Sequence, residues 1–290
     1  MADERKLIAY ARLGLGNRMR VIMSALAYAK SQNRDFEYVW DGSVGFEPAM
    51  TDLWEFPYRR ISPARSRLLA LLGNRYVGDR IGEWPADIES KPLIQVKTVH
   101  TLKDREGNNI EWAPQMRHLA PTPAVHDRVM QVWEDRLAGR PYIGVQIRAH
   151  DAHPKTVEAS PVEWFIDRMH ELRDENPDVE FYLSSDSEAA TEQVIAAIGP
   201  VAVQTDTGEY HTTKRVQTAV ADLYLLGSAS GVLGPYWSTF VSLAEHLANH
   251  TIVVENSMNG ERISAVGLDS PRVLDPLRPW EPNRGFIESA

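Results

Sequence analysis

The sequence contains no cysteine and no long apolar run, and both absences narrow the classes of protein that it could represent. Without cysteine among its 290 residues, the chain can form neither disulfides nor cysteine-based zinc sites. No stretch approaches the roughly 18 consecutive apolar residues that a membrane-spanning helix needs. The segment from Met1 to Lys6 is mostly charged and lacks the apolar core of a signal peptide. We therefore expect a soluble, cytoplasmic protein.

Positive charge is also scarce. Lysine and arginine total 31 against 40 aspartate and glutamate residues, so the formal net charge is −9. Such a surface does not suit a nucleic-acid backbone or an anionic membrane. A small anionic ligand is still compatible with it, because a single arginine can hold a phosphate within an acidic surface.

Strand-like and helix-like segments alternate along the chain, which predicts an α/β protein with parallel sheets. The expected strands are 6–13, 36–40, 93–100, 142–147, 179–183, 201–204, 231–233 and 251–254. The expected helices are 18–30, 64–72, 124–137, 161–173, 188–198, 212–226 and 238–247. Within this pattern Ser160 and Pro161 predict a helix start, with the serine as N-cap. Residues 43–92, rich in proline, predict short helices and irregular loops, and the tail from residue 271 predicts an extended segment.

One stretch near the middle of the chain organises the functional interpretation. Residues 142–147 are a compact, β-branched-rich run, typical of a strand that is buried on both faces. Arg148, His150 and Asp151 follow it directly, and ligands of open α/β sheets bind beyond the carboxyl ends of the strands. A guanidinium fork there suits a phosphate group. The alternative is a surface ion pair between Arg148 and Asp151, worth about 0–1 kcal/mol.

A second candidate contact is the turn Gly14-Leu15-Gly16-Asn17 between the first strand and its helix. Met19 stands where the dinucleotide fingerprint requires its third glycine, which argues against an NAD enzyme. The turn still directs backbone N–H groups and Asn17 toward an anion or a hydroxyl. Asn17 could instead be the helix N-cap, and the two roles are compatible.

Three blocks and a later pair of segments carry a resemblance to a known family. They are residues 14–18 with 23–30 and 39–41, residues 143–151, residues 181–188, and residues 222–226 with 237–240. In this order they resemble the GDP-fucose-dependent fucosyltransferase superfamily, which includes nodulation, α1,2- and α1,6-fucosyltransferases and peptide O-fucosyltransferases. Gln146, Ala149 and Ser185 depart from the family pattern of histidine, a second arginine and threonine. The resemblance implies the GT-B fold, with two Rossmann-like domains whose parallel sheets face a central cleft.

The resemblance also implies a domain division and a reaction. Residues 1–138 would form the acceptor-side domain, 139–270 the nucleotide-sugar-binding domain, and 271–290 a tail. The reaction would be an inverting transfer of fucose, or a related sugar, from a GDP-sugar donor to a hydroxyl acceptor. Arg148 would stabilise the charge that develops on the leaving diphosphate.

No cofactor and no metal ion is implied by the resemblance. The sequence contains no Asp-x-Asp, the spacing by which another glycosyltransferase fold holds a divalent ion on the diphosphate. A metal site at His150-Asp151-Ala152-His153 is the alternative.

The implied site residues follow position by position. Asp186 would contact the nucleoside, while Ser238 and Thr239 would contact the diphosphate, with helix capping as the alternative role for each. For the general base the candidates are Asp41, then Asp151 and His150. The full set of implied donor contacts is Gly14, Gly16, Asn17, Arg148, His150, Asp186, Ser238 and Thr239.

The acceptor is unidentified at this stage, and the implied cleft would hold it. A second hypothesis is a catalytically inactive protein of the same fold that binds a nucleotide or a glycan, and Gln146 and Ala149 motivate it.

Overall fold

The computed structural model describes residues 5–42, 48–78, 84, 87–104, 106–150, 158–210, 212–258, 261–284 and 286. The chain divides into two compact units, Met1–Thr122 with Tyr210–Thr213, and Pro123–Glu209 with Lys214–Ala290. The sequence predicted a division after residue 138, whereas the contacts group residues 123–138 with the second unit. The predicted acceptor-side and donor-side roles of the two parts stay predictions.

The first unit is built on a parallel sheet of five strands in the order β3-β2-β1-β5-β4. The central strand β1 is almost entirely buried, as expected of an apolar strand that is covered on both faces. The strand bounds are β1 Lys6–Ala11, β2 Asp35–Trp40, β3 Arg59–Arg60, β4 Tyr76–Val77 and β5 Leu93–Lys97.

Three helices accompany this sheet in the described residues, and one of them was not predicted. They are α1 (Leu15–Ser31), α2 (Pro63–Leu71) and α3 (Ala113–Arg117), of which α3 is new. The strands β3 and β4 were also missed, because each has only two residues and neither lies in a longer apolar run. Short 3-10 turns at Met50–Asp52 and Ile88–Ser90 agree with the irregular region predicted for residues 43–92.

The second unit repeats the design with a parallel sheet in the order β10-β9-β6-β7-β8. Its strands are β6 Tyr142–Ile147, β7 Glu180–Ser185, β8 Ala202–Val203, β9 Gly231–Leu233 and β10 Val253–Glu255. Its helices are α4 Pro123–Val132 with a π-helical turn Trp133–Leu137, α5 Val162–Glu175, α6 Glu188–Ile198, α7 Thr213–Ser228 and α8 Thr239–Leu247. Every residue of β6 is buried, as predicted for the central strand.

A glycine in β6 lets a helix pack closely against the sheet. A Cβ at Gly144 would lie 2.8 Å from Leu226 Cδ2 and 3.3 Å from Ala229 Cβ. Because Leu226 belongs to α7, the missing side chain is what allows this helix to approach the central strand. The segment after Gly144 is thereby held on a rigid base.

The sequence predicted Ser160 as the N-cap of a helix, and this prediction is wrong. Helix α5 begins at Val162 with Pro161 in the N-cap position, and no side chain caps it. Ser160 Oγ instead accepts a hydrogen bond from the Tyr236 backbone N–H at 2.9 Å and lies 3.0 Å from Ser257 Oγ. A long-range partner therefore takes the hydroxyl that the local pattern assigned to the helix.

The C-terminal tail packs on the second unit through a buried arginine. Arg272 Nε donates to the Ala229 carbonyl at 2.7 Å, Nη1 to Thr251 Oγ1 at 2.8 Å, and Nη2 to the carbonyls of Gly227 and Pro279. Only 1% of its surface is exposed. In the part of the chain that the structure describes, no helix is long and apolar enough to cross a membrane.

Candidate functional site

The second sheet changes its direction of winding between β6 and β9. Strands β7 and β8 lie on one side of β6, whereas β9 and β10, which come later in the chain, lie on the other side. In such sheets the crevice beyond the carboxyl ends at this switch point is where ligands bind. The three segments that meet there are 148–150 after β6, 186–187 after β7 and 234–238 after β9.

Arg148 lies directly after the central strand at this switch point. Its side chain is exposed, and it forms neither a hydrogen bond nor an ion pair with any residue that the structure describes. The predicted partner Asp151 belongs to residues 151–157, which are outside the described residues, so the surface ion pair stays untested. An exposed guanidinium at the end of a buried strand can receive an anionic ligand in bidentate geometry.

Asp186 fixes the segment that carries Arg148. Its Oδ1 accepts hydrogen bonds from the backbone N–H groups of Ala149 at 2.7 Å and His150 at 2.9 Å. Ile147 pairs with Ser185 in the sheet, so the carboxylate reaches across neighbouring strand ends. The predicted contact of Asp186 with a nucleoside stays a prediction. The capping alternative belongs to Ser187, whose Oγ accepts from the Ala190 N–H at 3.3 Å at the start of α6.

Ser238 joins the third strand-end segment to the central strand. Its Oγ accepts from the Val241 N–H at 3.3 Å, which makes it the N-cap of α8, and donates to Gln146 Oε1 at 3.1 Å. Thr239 is the first residue of the helix and is exposed. Gln146, which departs from the family pattern, is buried in this contact. The start of α8 is thus tied to the central strand two residues before Arg148, and its N–H groups and dipole favour an anion.

An exposed tryptophan beside these residues was not identified from the sequence. Trp237 is 67% exposed, has a φ of 63° and stacks on Tyr236 with ring centroids 4.9 Å apart. A left-handed backbone at a bulky residue costs roughly 1–3 kcal/mol and occurs at functional sites. The exposed indole offers a face on which a planar base or the apolar face of a sugar can stack. Sequence patterns carry no signal for this backbone conformation.

A buried carboxylate lies behind the end of β7. Asp222 Oδ1 accepts from Tyr182 Oη at 2.5 Å, and its Oδ2 accepts from Ser184 Oγ at 2.7 Å. Burial raises the pKa of Asp222 to about 6, against the opposing effect of these two hydrogen bonds. The resemblance singled out residues 222–226 as a block, without assigning a role to the aspartate.

A second arginine stands at the same strand end. Arg215 Nη2 donates to the Ser185 carbonyl at 2.9 Å, and Arg215 also lowers the pKa of Asp222. The guanidinium of Arg215 therefore lies at the end of β7, where it bonds to the residue just before Asp186.

In the first unit, the Gly14-x-Gly16 turn differs from the expected arrangement. The N-cap of α1 is Gly14, and Asn17 is the third residue of the helix, so Asn17 does not cap it. Gly14 has an ordinary extended backbone, whereas Leu13 before it has a φ of 69°. The tight turn is thus made by Leu13, and Asn17 stays available on the first helical turn for the predicted ligand contact.

Asp41 follows β2 and is buried at the carboxyl edge of the first sheet. Its Oδ2 accepts from Tyr10 Oη at 2.8 Å, and its backbone carbonyl accepts from Arg18 Nη2 at 2.6 Å. Arg18 is 1% exposed, its guanidinium lies 5.0 Å from the Trp40 ring centroid, and burial lowers its pKa to about 10. Arg18 is therefore still charged at neutral pH and supports a carboxylate at position 41.

The alternative metal site of the sequence analysis comprises residues 150–153, of which the structure describes only His150. Within the described ranges, no group of three or more histidine, aspartate or glutamate side chains could hold a metal ion. The predicted general-base alternative Asp151 likewise lies outside the described residues.

Two doubly wound parallel sheets, each with polar side chains at its switch point, define a protein with two Rossmann-like units. A scan of protein-family models and a sequence search of curated proteins both find no match. Solved structures do match. Fucosyltransferase NodZ from Bradyrhizobium has a TM-score of 0.62 at 17% identity, over 90% of this chain and 99% of NodZ.

Two further matches were solved with a nucleotide. A variant of Arabidopsis thaliana FUT1 in complex with GDP has a TM-score of 0.56 at 17% identity, over 92% of this chain and 76% of that one. POFUT1 in complex with GDP has a TM-score of 0.56 at 10% identity, over 88% and 99%. At these identities the likeness establishes the fold, and the GT-B fold expected from the sequence motifs is confirmed.

Proposed function

We propose that the protein is an inverting glycosyltransferase that moves fucose, or a related sugar, from a GDP-sugar to a hydroxyl acceptor without a metal ion. The fold is that of fucosyltransferases, and several of the matching structures hold GDP. The observation that carries the proposal is the exposed Arg148 guanidinium at the switch point of the second sheet.

Arg148 would act on the leaving group. As the sugar takes on oxocarbenium character, negative charge builds on the departing diphosphate, and a guanidinium stabilises it more in the transition state than in the ground state. Asp186 supports this role because it holds the backbone at residues 149 and 150. A guanidinium on a fixed segment needs little reorganisation when charge develops.

The donor would lie across the three strand-end segments of the second unit. Ser238 and Thr239, at the start of α8, are placed to donate to the diphosphate, since the helix N-terminus favours anions. His150 and Asp186 flank Arg148 on the side of β7 and would meet the nucleoside. Gly14, Gly16 and Asn17 would contact the donor or acceptor from the first unit.

Asp41 would take the proton of the acceptor hydroxyl. It is a carboxylate at the carboxyl edge of the first sheet, and Tyr10 Oη and the nearby Arg18 stabilise its charged form. General bases of this kind contribute roughly 10²–10⁴-fold to the rate.

The test is to measure GDP release from GDP-fucose and GDP-mannose by the full-length protein and by Arg148→Ala. We expect the substitution to reduce turnover by roughly 10³-fold or more, the range found for comparable arginines in phosphoryl transfer. Arg140→Ala is the matched control, because Arg140 is also exposed but lies before the amino end of the same strand. The control variant should retain wild-type turnover, and circular dichroism should show both variants folded.

Two outcomes would contradict the proposal in different ways. Turnover by Arg148→Ala within tenfold of wild type would remove the role of this arginine. GDP binding by the wild type with no turnover of any donor, with or without acceptors, would favour a catalytically inactive nucleotide-binding protein of the same fold.

A further inference from the structure

The first sheet has its own switch point, and the structure places unpaired cations there. Strands β1, β2 and β3 lie to one side, while β5 and β4 lie on the other, so the winding reverses between β1 and β5. Tyr10 and Lys97, at the carboxyl ends of these two strands, are direct partners in the register. Ligands of doubly wound sheets bind beyond the strand ends at this position.

Lys97 is held at the switch point by aromatic rings. Its Nζ lies 4.7 Å from the ring centroid of Tyr10 and 5.1 Å from that of Tyr76, and the two rings meet edge to face. Such contacts attract an ammonium group to the negative face of the ring. They position the charge without neutralising it, because neither ring is an anion.

Two arginines stand close to the same strand ends. Arg60 Nη2 donates to the Trp40 carbonyl at 3.0 Å, at the end of β2, and Arg67 interacts with the Tyr10 hydroxyl. Lys97, Arg60 and Arg67 form no ion pair with any carboxylate in the described residues. We call these three side chains the cationic edge.

At the opposite end of the same sheet, three cations do form ion pairs with carboxylates. At the amino ends, Lys6 Nζ lies 2.9 Å from Glu37 Oε1, and Arg59 Nη1 lies 3.7 Å from the same oxygen. Lys91, just before β5, lies 3.6 Å from Asp87. In a chain of net charge −9, Lys6, Arg59 and Lys91 thus have carboxylate partners, whereas the three side chains of the cationic edge have none among the described residues.

We propose that the cationic edge binds an anionic group of the acceptor, so that the acceptor is an acidic sugar carrying a carboxylate or a phosphate. This inference rests on the proposed function. Lys97 contacts the Tyr10 ring, while the Tyr10 hydroxyl donates to Asp41, the proposed base. The Tyr10 side chain would therefore lie between an anion held by Lys97 and the carboxylate that takes the hydroxyl proton. Arg67, which interacts with the Tyr10 hydroxyl, would add charge and donors beside it, while Arg60 lies farther along the same edge at the end of β2.

The experiment titrates the full-length protein with glucuronate, glucose 6-phosphate and glucose at low salt, with binding followed by intrinsic tryptophan fluorescence. We expect both acidic sugars to bind at least tenfold more tightly than glucose. Raising the salt concentration should weaken their binding, since the contact is between exposed charges. The ratio of the two acidic sugars separates a carboxylate from a phosphate as the preferred group.

Three variants assign the binding to the cationic edge. Lys97→Met should weaken binding of the acidic sugars at least tenfold, and Lys97→Arg should restore it to within about threefold, because arginine keeps the charge and the ring contact. Lys91→Met removes the same charge at a position just before the amino end of the same strand, and it should leave the binding of the acidic sugars unchanged. Arg148→Ala should also leave this binding unchanged, which excludes the donor site as its location.

Equal affinity for glucose and the acidic sugars would overturn the proposal, as would equal effects of Lys91→Met and Lys97→Met in variants that circular dichroism shows to be folded. The proposed transferase function fails separately, through GDP that does not bind or donors that are not turned over. Acidic-sugar binding without GDP binding would leave the cationic edge as a sugar site in a protein that is not this transferase.

Discussion

At the scale of single residues, Asp222 makes the stability of the protein depend on pH. Its carboxylate is buried beneath β7, where Tyr182 and Ser184 donate to it. Burial raises its pKa to about 6, above the usual 3.8, and Ser184, Tyr182, Arg215 and Arg128 limit the rise. The folded state therefore retains this proton at a pH where the unfolded chain has lost it.

The sign of the effect follows from that difference. The contribution of Asp222 to stability is fully present below pH 3.8 and is lost as the pH rises through about 6, a loss of about 2–3 kcal/mol. Asp222→Asn cannot ionise and should lack this loss. Urea unfolding at pH 4, 5, 6 and 7 should show the free energy of unfolding of the wild type falling relative to that of the variant.

Asp174→Asn is the control for this measurement, because Asp174 is an exposed carboxylate on α5 of the same unit. Its pH profile should follow that of the wild type. Parallel profiles for Asp222→Asn and the wild type would show that Asp222 does not titrate between pH 4 and 6.

At the scale of single elements, α8 combines stability with the proposed donor contact. Ser238→Ala removes its N-cap and should lower the free energy of unfolding by about 0.5–2 kcal/mol. The same change also removes the bond to Gln146 and loosens the helix start beside Arg148. We therefore expect the affinity for GDP, measured by calorimetry, to fall at least fivefold.

Ser62→Ala provides the matched control, since Ser62 caps α2, a helix of the same length in the first unit. It should destabilise the protein by a similar amount without changing GDP binding. A loss of GDP affinity that is equal in both variants would mean that general destabilisation, and not the α8 site, accounts for it.

For the molecule as a whole, Arg272 anchors the tail to the second unit. Arg272→Met leaves buried acceptors at Gly227, Ala229 and Pro279 without their donor. Each unsatisfied group costs about 1–3 kcal/mol, so we expect a total loss of at least about 3 kcal/mol in chemical denaturation. Arg284→Met, at an exposed tail position, should stay within about 0.5 kcal/mol of wild type. Equal stability of both variants would contradict the anchoring role.

The alternation of strands and helices was predictable because it depends on local periodicity. The eight predicted strands coincide with all the strands of both sheets except β3 and β4, with ends shifted by a few residues. Arg148 could be identified in the same way, since it directly follows a compact run that is rich in β-branched residues. The strands β3 and β4 and the five-residue helix α3 were not found, because they are short and none of them lies in an apolar run such as the one, 201–203, that contains the equally short β8.

Residues whose partners are distant in sequence were predicted least well. Ser160 reads as a helix cap locally, but its hydroxyl bonds to Tyr236, 76 positions away. The N-cap role that the sequence left open for Asn17, beside its predicted ligand contact, belongs to Gly14. Neither the exposed, left-handed Trp237 nor the ring-held Lys97 has a local signature.

By itself, the sequence determined the fold class and the residue at the end of the central strand, because both follow from which side chains can be buried within a few residues of each other. Only the tertiary structure decided which strand ends are neighbours. The order of strands in each sheet sets the switch points, and it brings Ser238 to Gln146 and Lys97 to Tyr10 across 92 and 87 positions. Long-range packing selects such pairs, and no local pattern encodes them.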